Sequence, residues 1–144
     1  MMANLTPEIT AQLRASAESA AAKAYAPYSK FRVGAALLFD DDTIVSGCNV
    51  ENISYGLTIC AERTALCRAI AERGAQHKIV AIAVTNLNQA ASPPCGACRQ
   101  MLSEFVTSDA VVYFPDDQGI TSAPFKELLP HIFHHWTKEE HARG

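Results

Sequence analysis

The chain has 144 residues, of which 49% are hydrophobic and 19% are charged, and its net charge at pH 7 is −3. These values are typical of one soluble globular domain with a substantial core. We therefore expect residues 1–144 to form a single domain that ends in a C-terminal tail at 134–144. The weak negative charge provides no basic field for nucleic acid, which favours a small uncharged substrate.

The N-terminal residues lack the basic and apolar regions of a signal peptide. The longest strongly apolar run, Val33 to Phe39, is too short to span a bilayer. We therefore expect a cytoplasmic protein with no membrane partner. In that reducing compartment, the five cysteines of the chain are better suited to be metal ligands or buried thiols than disulfides.

The first part of the chain predicts a helix followed by a hairpin. Thr6 is a favourable N-cap, Pro7 suits the first helical position, and apolar residues then recur every three or four positions. Two short apolar runs separated by an acidic triplet follow as strands. The expected ranges are about 6–24 for the helix, 33–39 and 44–48 for the strands, and 40–42 for the turn.

The remainder alternates between helices and strands. Residues 79–85 are apolar on both parities, which predicts an inner strand covered on both faces, and Gly74 is a natural helix C-cap. The resulting order predicts one α/β domain with a sheet between helical layers. The expected ranges are helices at 60–73 and 95–105, strands at 79–85 and 110–114, a turn at 116–119 with a short strand after it, and a helical turn at 124–129.

Three thiols and one carboxylate form a chemical unit. Cys60 and Glu62 are followed, about a third of a chain later, by Cys95 and Cys98. Catalytic zinc takes three protein ligands and keeps a fourth position for water, and residues three apart on a helix share one face. Cys60 and Glu62 can both face one ion only if Cys60 precedes the helical dihedrals. We therefore predict that Cys60 lies at a helix cap.

Three thiolates would give a zinc unit a net charge of −1, which opposes forming hydroxide on the ion. Arg63, next to Glu62, is the candidate to offset that charge by donating hydrogen bonds to the sulfurs. Cys67 lies about 10 Å beyond Cys60 along a helix, too far to share an ion, and is expected to be a buried core thiol. Cys48 remains a competing ligand.

At this point the chain resembles the cytidine and deoxycytidylate deaminase family, and within it the small homotetrameric cytidine deaminases. The Cys-x-Glu and Pro-Cys-x-x-Cys elements form the signature of zinc deaminases. The similarity runs from about Tyr25 to Phe133, in the order and spacing of the family. The matching blocks are Tyr28–Ala36, Asn49–Asn52, Cys60–Thr64, Pro94–Gln100 and Glu127–Pro130.

The resemblance implies a three-layer α-β-α sandwich around a mixed sheet of roughly five strands. It implies one Zn²⁺ per subunit, held by Cys60, Cys95 and Cys98, with Glu62 as the proton shuttle. The implied reaction is hydrolytic deamination of cytidine and 2′-deoxycytidine to uridine and 2′-deoxyuridine, with release of ammonia, in pyrimidine salvage.

The resemblance also implies how a nucleoside is bound. Asn49 and Glu51 would hold the ribose, notably its 3′-hydroxyl, Phe31 would lie against the pyrimidine, and the Ala61 amide would bind the base carbonyl. In the implied homotetramer, neighbouring subunits complete each site. The residues implied for that purpose are Tyr55 and Phe133, and the candidate interface aromatics are Phe125, Phe133 and Trp136.

Three other functions fit part of the sequence. A deaminase of an aminopyrimidine antibiotic such as blasticidin S would keep the zinc motifs, but Asn49 and Glu51 favour a nucleoside. A thiol–disulfide oxidoreductase would use Cys95 and Cys98, yet it leaves the Cys-x-Glu element unexplained. A structural zinc module would need a fourth ligand, such as Cys48 or a distant histidine.

Overall fold

The computed structural model describes residues 5–133. A mixed five-stranded sheet with the strand order β2-β1-β3-β4-β5 forms its centre. In chain order the elements are α1 (Pro7–Ala21), β1 (Val33–Phe39), β2 (Ile44–Cys48), a 3₁₀ turn (Tyr55–Leu57), α2 (Ala61–Arg73), β3 (Ile79–Asn86), α3 (Gly96–Leu102), β4 (Val106–Asp116), β5 (Gly119–Pro124) and α4 (Phe125–Leu128).

Helix α1 begins and packs as its sequence predicts. Pro7 occupies the first turn, and the Thr6 hydroxyl accepts a hydrogen bond from the amide of Ile9 at 3.2 Å. A Cβ on Gly34 would lie 1.8 Å from the carbonyl oxygen of Ala17. The backbone of α1 therefore lies directly on β1, a contact that only glycine permits at that position.

The sheet separates two hydrophobic cores. β1 pairs antiparallel with β2 and β3, β3 pairs parallel with β4, and β4 pairs antiparallel with β5. Side chains alternate along β1, so Ala35 and Leu37 enter the core beneath α2, while Ala36 and Leu38 enter the core beneath α1. Helices α3 and α4 add Leu102 and Phe125 to the first core. These layers confirm the predicted three-layer sandwich.

Two strands are longer than the sequence pattern predicts. α3 ends at Leu102, and β4 already begins at Val106 rather than near residue 110. Its pairing with β3 shifts register between Ile79 and Ala81, which leaves the polar residues 107–109 in a bulge and disguises the strand. β5 is a full strand of six residues.

Two side-chain expectations are wrong. Cys67 is exposed, because the buried face of α2 passes through Ala65, Leu66 and Ala69 and leaves position 67 on the opposite side. Phe125 is 5% exposed and packs in the core against β4, so its ring is not free for an interface. Trp136 and the expected tail lie outside the described residues. No helix within residues 5–133 is long and apolar enough to cross a bilayer.

Helix α2 approaches β2 at a second glycine. A Cβ on Gly47 would lie 2.4 Å from the amide nitrogen of Ala65 and 3.0 Å from the carbonyl oxygen of Ala61. Both neighbours are backbone atoms that cannot rotate away. The absence of a side chain at Gly47 therefore sets how closely α2 lies against the sheet, and with it the position of the residues that begin α2.

Gly47→Ala should lower the free energy of unfolding by about 3 kcal/mol, because the new methyl group must displace α2. Urea unfolding monitored by circular dichroism would measure this. The matched control is Gly56→Ala, where an added Cβ has no atom within 4 Å, and its stability should change by less than about 0.5 kcal/mol. Equal stability of the two variants would contradict the packing argument.

Candidate active site

The loop before α2 is closed by two isolated β-bridges. Val50 and Ile59 exchange backbone hydrogen bonds of 2.9 Å in both directions. The Tyr25 amide donates to the carbonyl of Asn49 at 3.1 Å, and the Glu51 amide donates to the carbonyl of Tyr25 at 2.9 Å. These bridges hold Asn49 and Glu51 beside the start of α2.

Two cysteines lie at helix N-caps. Cys60 is the N-cap of α2, with φ −69° and ψ 155°, and Cys95 is the N-cap of α3, with φ −67° and ψ 161°. Both backbones are still extended at these residues. The prediction that Cys60 precedes the helical dihedrals is confirmed, and its side chain is thereby freed from the helical spacing that would turn it away from Glu62.

The sulfurs of Cys60, Cys95 and Cys98 form one cluster. All three lie within 4.8 Å of one another. The Cys60–Cys95 separation is 3.7 Å and the Cys95–Cys98 separation is 2.9 Å. Tetrahedral zinc with Zn–S bonds of ~2.3 Å would separate its sulfurs by about 3.8 Å. The three thiols therefore fit zinc, with only the Cys95–Cys98 pair needing to open.

Arg63 contacts this cluster through Cys60. Its guanidinium donates to the sulfur of Cys60 at 3.4 Å and to the carbonyl of Thr58 at 3.3 Å. The pKa of Cys60 is lowered to about 5, first by a hydrogen bond from Cys98 and further by Arg63. Donating to Cys60, together with burial, raises the pKa of the Cys98 thiol. Of these two thiols, Cys60 is therefore the one that favours the thiolate form.

Glu62 lies in the first turn of α2 and is 4% exposed. Burial raises the pKa of its carboxyl, and the adjacent Cys60 thiolate raises it further. A carboxyl with a raised pKa can both accept and return a proton closer to neutral pH. Glu62 is thus a chemically suitable acid/base group at the edge of the sulfur cluster.

A cleft of about 190 Å³ opens over these groups. It contains six of the residues singled out from the sequence, and five further residues for which no role was predicted. Its lining consists of Phe31, Asn49, Cys60, Ala61, Glu62 and Cys95, together with Val33, Thr58, Val84, Ser92 and Pro93. Ser92 and Pro93 could have been found from their closeness to Cys95. Val33 and Val84 look like ordinary strand residues and carry no such signal.

Asn49 is already used twice by the protein itself. Its Oδ1 accepts from the Val33 amide at 2.9 Å, and its Nδ2 donates to the Phe31 carbonyl at 2.8 Å. An asparagine amide has two donors and two acceptor positions. Within the described chain, one donor and one acceptor of Asn49 therefore remain for a ligand in the cleft.

Glu51 is similarly engaged. Its Oε1 accepts from the amides of Tyr28 and Ser29 at 3.0 and 3.1 Å, and its Oε2 accepts from the Ser29 hydroxyl. The Ser29 hydroxyl is the main cause of the lowered pKa of Glu51. Among residues 5–133 this leaves one acceptor position, on Oε2. Glu51 is not part of the cleft lining.

Tyr55 and Phe133 do not reach the cleft of their own chain. They are 75% and 81% exposed, and the Tyr55 ring meets the Tyr28 ring edge-on at 6.3 Å between centroids. Their expected role in a neighbouring subunit's site stays a prediction.

Three convergent thiols and a buried carboxylate lie at two helix starts, and Cys60, Cys95 and Glu62 of this group line the cleft. This is the arrangement of a zinc-dependent deaminase. The family model of the cytidine and deoxycytidylate deaminase zinc-binding region matches residues 7–114. The chain belongs to this family.

Similar proteins include two curated cytidine deaminases. The one from Halalkalibacterium halodurans is 50% identical over 111 residues, covering 76% of this chain and 83% of that protein. The one from Mycobacterium tuberculosis is 43% identical over 121 residues, covering 84% and 86%. Both matches extend over most of each protein.

Similar solved structures have the same fold. The cytidine deaminase of Burkholderia pseudomallei superposes with a TM-score of 0.78 at 42% identity, covering 90% of this chain and 100% of that one. The cytidine deaminase of Mycobacterium tuberculosis superposes with a TM-score of 0.75 at 40% identity, covering 88% and 98%.

Glu51→Gln should remove a pH-dependent part of the stability. The pKa of Glu51 lies below its ordinary value of 4.5, so its contribution is fully present above pH 4.5 and is lost as the pH falls through the folded-state pKa. Urea unfolding should show the wild type more stable than the variant near neutral pH, with a difference that narrows in acid. The exposed Glu104, changed to glutamine, is the control. A difference independent of pH would contradict the assignment.

Proposed function

We propose that this protein is a zinc-dependent cytidine deaminase that converts cytidine and 2′-deoxycytidine to uridine and 2′-deoxyuridine, with release of ammonia. The observation that carries the proposal is the cleft in which the buried Glu62 lies with Cys60 and Cys95, two members of a cluster of three convergent thiols. The similar proteins named above are cytidine deaminases, which supports the choice of substrate.

In this proposal Cys60, Cys95 and Cys98 hold one Zn²⁺ per subunit. When bound, zinc supplies Lewis-acid activation of a water nucleophile near neutral pH. Arg63 offsets part of the negative charge of three thiolates through its hydrogen bond to Cys60. The N-cap position of Cys60 contributes in the same direction, because the amide end of a helix favours thiolate over thiol.

Glu62 moves the protons. Its carboxylate takes a proton from the attacking water and delivers it to N3 of the pyrimidine, which makes C4 electrophilic. After attack at C4, the same carboxylate takes the remaining proton from the new C4 hydroxyl, which becomes the product carbonyl, and passes it to the departing amine, which leaves as ammonia. The raised pKa of Glu62 suits both halves of this cycle, since a strongly acidic carboxyl would accept the first proton poorly.

The cleft residues orient the nucleoside. Phe31 lies along one wall, where its ring can pack against the pyrimidine, and Asn49 keeps one donor and one acceptor for a ribose hydroxyl. Ala61 is the first residue of α2, so its amide has no acceptor within the helix and is available to the base carbonyl. Glu51 offers its remaining Oε2 acceptor position to the same hydroxyl as Asn49.

The other functions considered explain less. Burying the carboxyl of Glu62 costs free energy, which a role in catalysis would explain. The mechanism of a thiol–disulfide oxidoreductase gives Glu62 no such role. A closed structural site requires four ligands, whereas the cysteine cluster found among the described residues has three members and does not include Cys48. An antibiotic deaminase would have no need of the ribose-facing groups of Asn49.

We further propose that the single domain works as a cytoplasmic homotetramer in pyrimidine salvage. Large apolar side chains stand exposed around the loops that border the cleft, as expected of a surface that packs against another subunit. They include Tyr25, Tyr28, Val50, Ile53, Tyr55, Leu57 and Phe133. Tyr55 and Phe133 from neighbouring subunits would then complete each site.

Glu62→Gln should lower kcat for cytidine by on the order of 10²–10⁴, because glutamine cannot accept or return the proton. An ultraviolet assay of cytidine conversion would measure this, with zinc content determined in parallel. Glu72→Gln, an exposed substitution on the same helix, is the control and should leave turnover unchanged. A wild-type protein inactive on cytidine, or a zinc-loaded Glu62→Gln with normal turnover, would refute the proposal.

Arg63→Gln should lower kcat/KM for cytidine and move the acidic limb of its pH profile to higher pH. The loss of a positive charge at Cys60 makes the cluster more negative and deprotonation of the nucleophile harder. Arg68→Gln removes a charge from the exposed side of α2 and should change neither quantity. An unchanged pH profile in Arg63→Gln would exclude the charge-compensating role.

A further inference from the structure

Phe31 lies in a segment without regular secondary structure. Between Ala26 and Val33 the chain forms turns and loop, so its backbone groups must find partners elsewhere. The Phe31 carbonyl accepts from Asn49, and its amide donates to the Ser29 hydroxyl at 3.0 Å. Lys30, directly before it, has φ 61°, a left-handed conformation that a non-glycine residue adopts only when its surroundings hold it there.

One side chain holds the segment on both sides of Phe31. The Nδ2 of Asn88 donates to the carbonyl of Lys30 at 3.0 Å, and its Oδ1 accepts from the amide of Arg32 at 3.1 Å. The adjacent Leu87 amide donates to the carbonyl of Arg32 at 3.0 Å. Asn88 therefore spans Phe31 and pairs with the residue before it and the residue after it.

Asn88 is itself fixed by a buried asparagine. Asn86 is 9% exposed, and its Oδ1 accepts from the amides of Asn88 and Ala90 at 2.9 and 3.1 Å. Its Nδ2 donates to the carbonyl of Ala90 and to the Ser92 hydroxyl, both at 2.8 Å. All donor and acceptor positions of this amide are used. Asn86 thus orders the loop that leads to Ser92 and Pro93, the wall beside Cys95.

We infer that Asn88 is a positioning residue for the reaction. Asn88 does not line the cleft. It acts by fixing the position of the Phe31 ring relative to Ser92 and Pro93 in the cleft wall, and Asn86 holds Asn88 in place. This inference rests on the proposed function and deepens it. The distance between Phe31 and the Ser92–Pro93 wall determines whether a flat pyrimidine ring can contact both. The position requires an amide side chain, because one atom donates to the Lys30 carbonyl and the other accepts from the Arg32 amide. Aspartate would face the Lys30 carbonyl with a second acceptor.

Asn88 is exposed, so water can replace its hydrogen bonds when the side chain is removed. Its loss should therefore loosen the Phe31 segment without unfolding the domain. Asn88→Ala should raise KM for cytidine about tenfold, the value of one or two net hydrogen bonds, and leave kcat within about twofold. Gln89→Ala, the exposed neighbour in the same loop, is the control and should leave KM unchanged.

A double-mutant cycle separates positioning from general structural damage. If Asn88 acts through Phe31, Asn88→Ala should raise KM by less than about twofold in a Phe31→Ala background. The full tenfold effect in that background would overturn the inference. Loss of kcat with loss of zinc in Asn88→Ala would overturn it as well.

Hydrogen exchange gives a readout that does not need activity. Asn88→Ala should speed exchange of the Arg32 amide in a peptide covering residues 28–33, while the Val50–Ile59 bridge exchanges at the wild-type rate. Unchanged exchange at Arg32 would overturn the inference. A wild-type protein that fails to convert cytidine would instead refute the proposed function, and the exchange data would still decide whether Asn88 holds the Phe31 segment.

Discussion

The site depends on one geometric constraint, that Cys60 and Glu62 must face the same point although only one residue separates them. Within a helix their side chains would lie on nearly opposite sides. The extended backbone of Cys60 resolves the conflict by placing it at the N-cap and Glu62 in the first turn. The position of that helix start is fixed from both sides, by the bridge between Val50 and Ile59 and by the close approach of α2 to Gly47.

The same arrangement balances charge. Burial makes Glu62 a weaker acid, which suits a group that must both accept and donate protons, but it also deepens the electrostatic cost of three neighbouring thiolates. Arg63 contacts Cys60 but does not line the cleft, so it can offset that charge without occupying substrate space. A cation inside the cleft would compete with the proton that Glu62 carries. Charge compensation by Arg63 and the proposed proton transfer by Glu62 are assigned to adjacent residues, which point in different directions from the first turn of α2.

The sequence predicted the features that local patterns encode. Apolar periodicity, Pro7 and Gly74 placed the helices, and the Cys-x-x-Cys spacing indicated which thiols converge. What escaped prediction depends on long-range packing. The bulge in β4 depends on its pairing with β3, and the exposure of Cys67 depends on which face of α2 packs against the sheet. Asn88 forms its hydrogen bonds with residues 56 and 58 positions away in the chain. No local sequence pattern predicts hydrogen bonds between a side-chain amide and residues so distant in the chain.

Asn49 and Glu51 already make hydrogen bonds within the protein, and this limits what their side chains can recognise. Both side chains bind groups of residues 28–33, the segment that carries Phe31, and these contacts fix their orientation. Each then has little capacity left, a single acceptor position in the case of Glu51. One hydroxyl can satisfy that position and a second cannot. If Glu51 binds the 3′-hydroxyl as proposed, it is therefore not expected to discriminate between ribose and 2′-deoxyribose, because both sugars carry that hydroxyl.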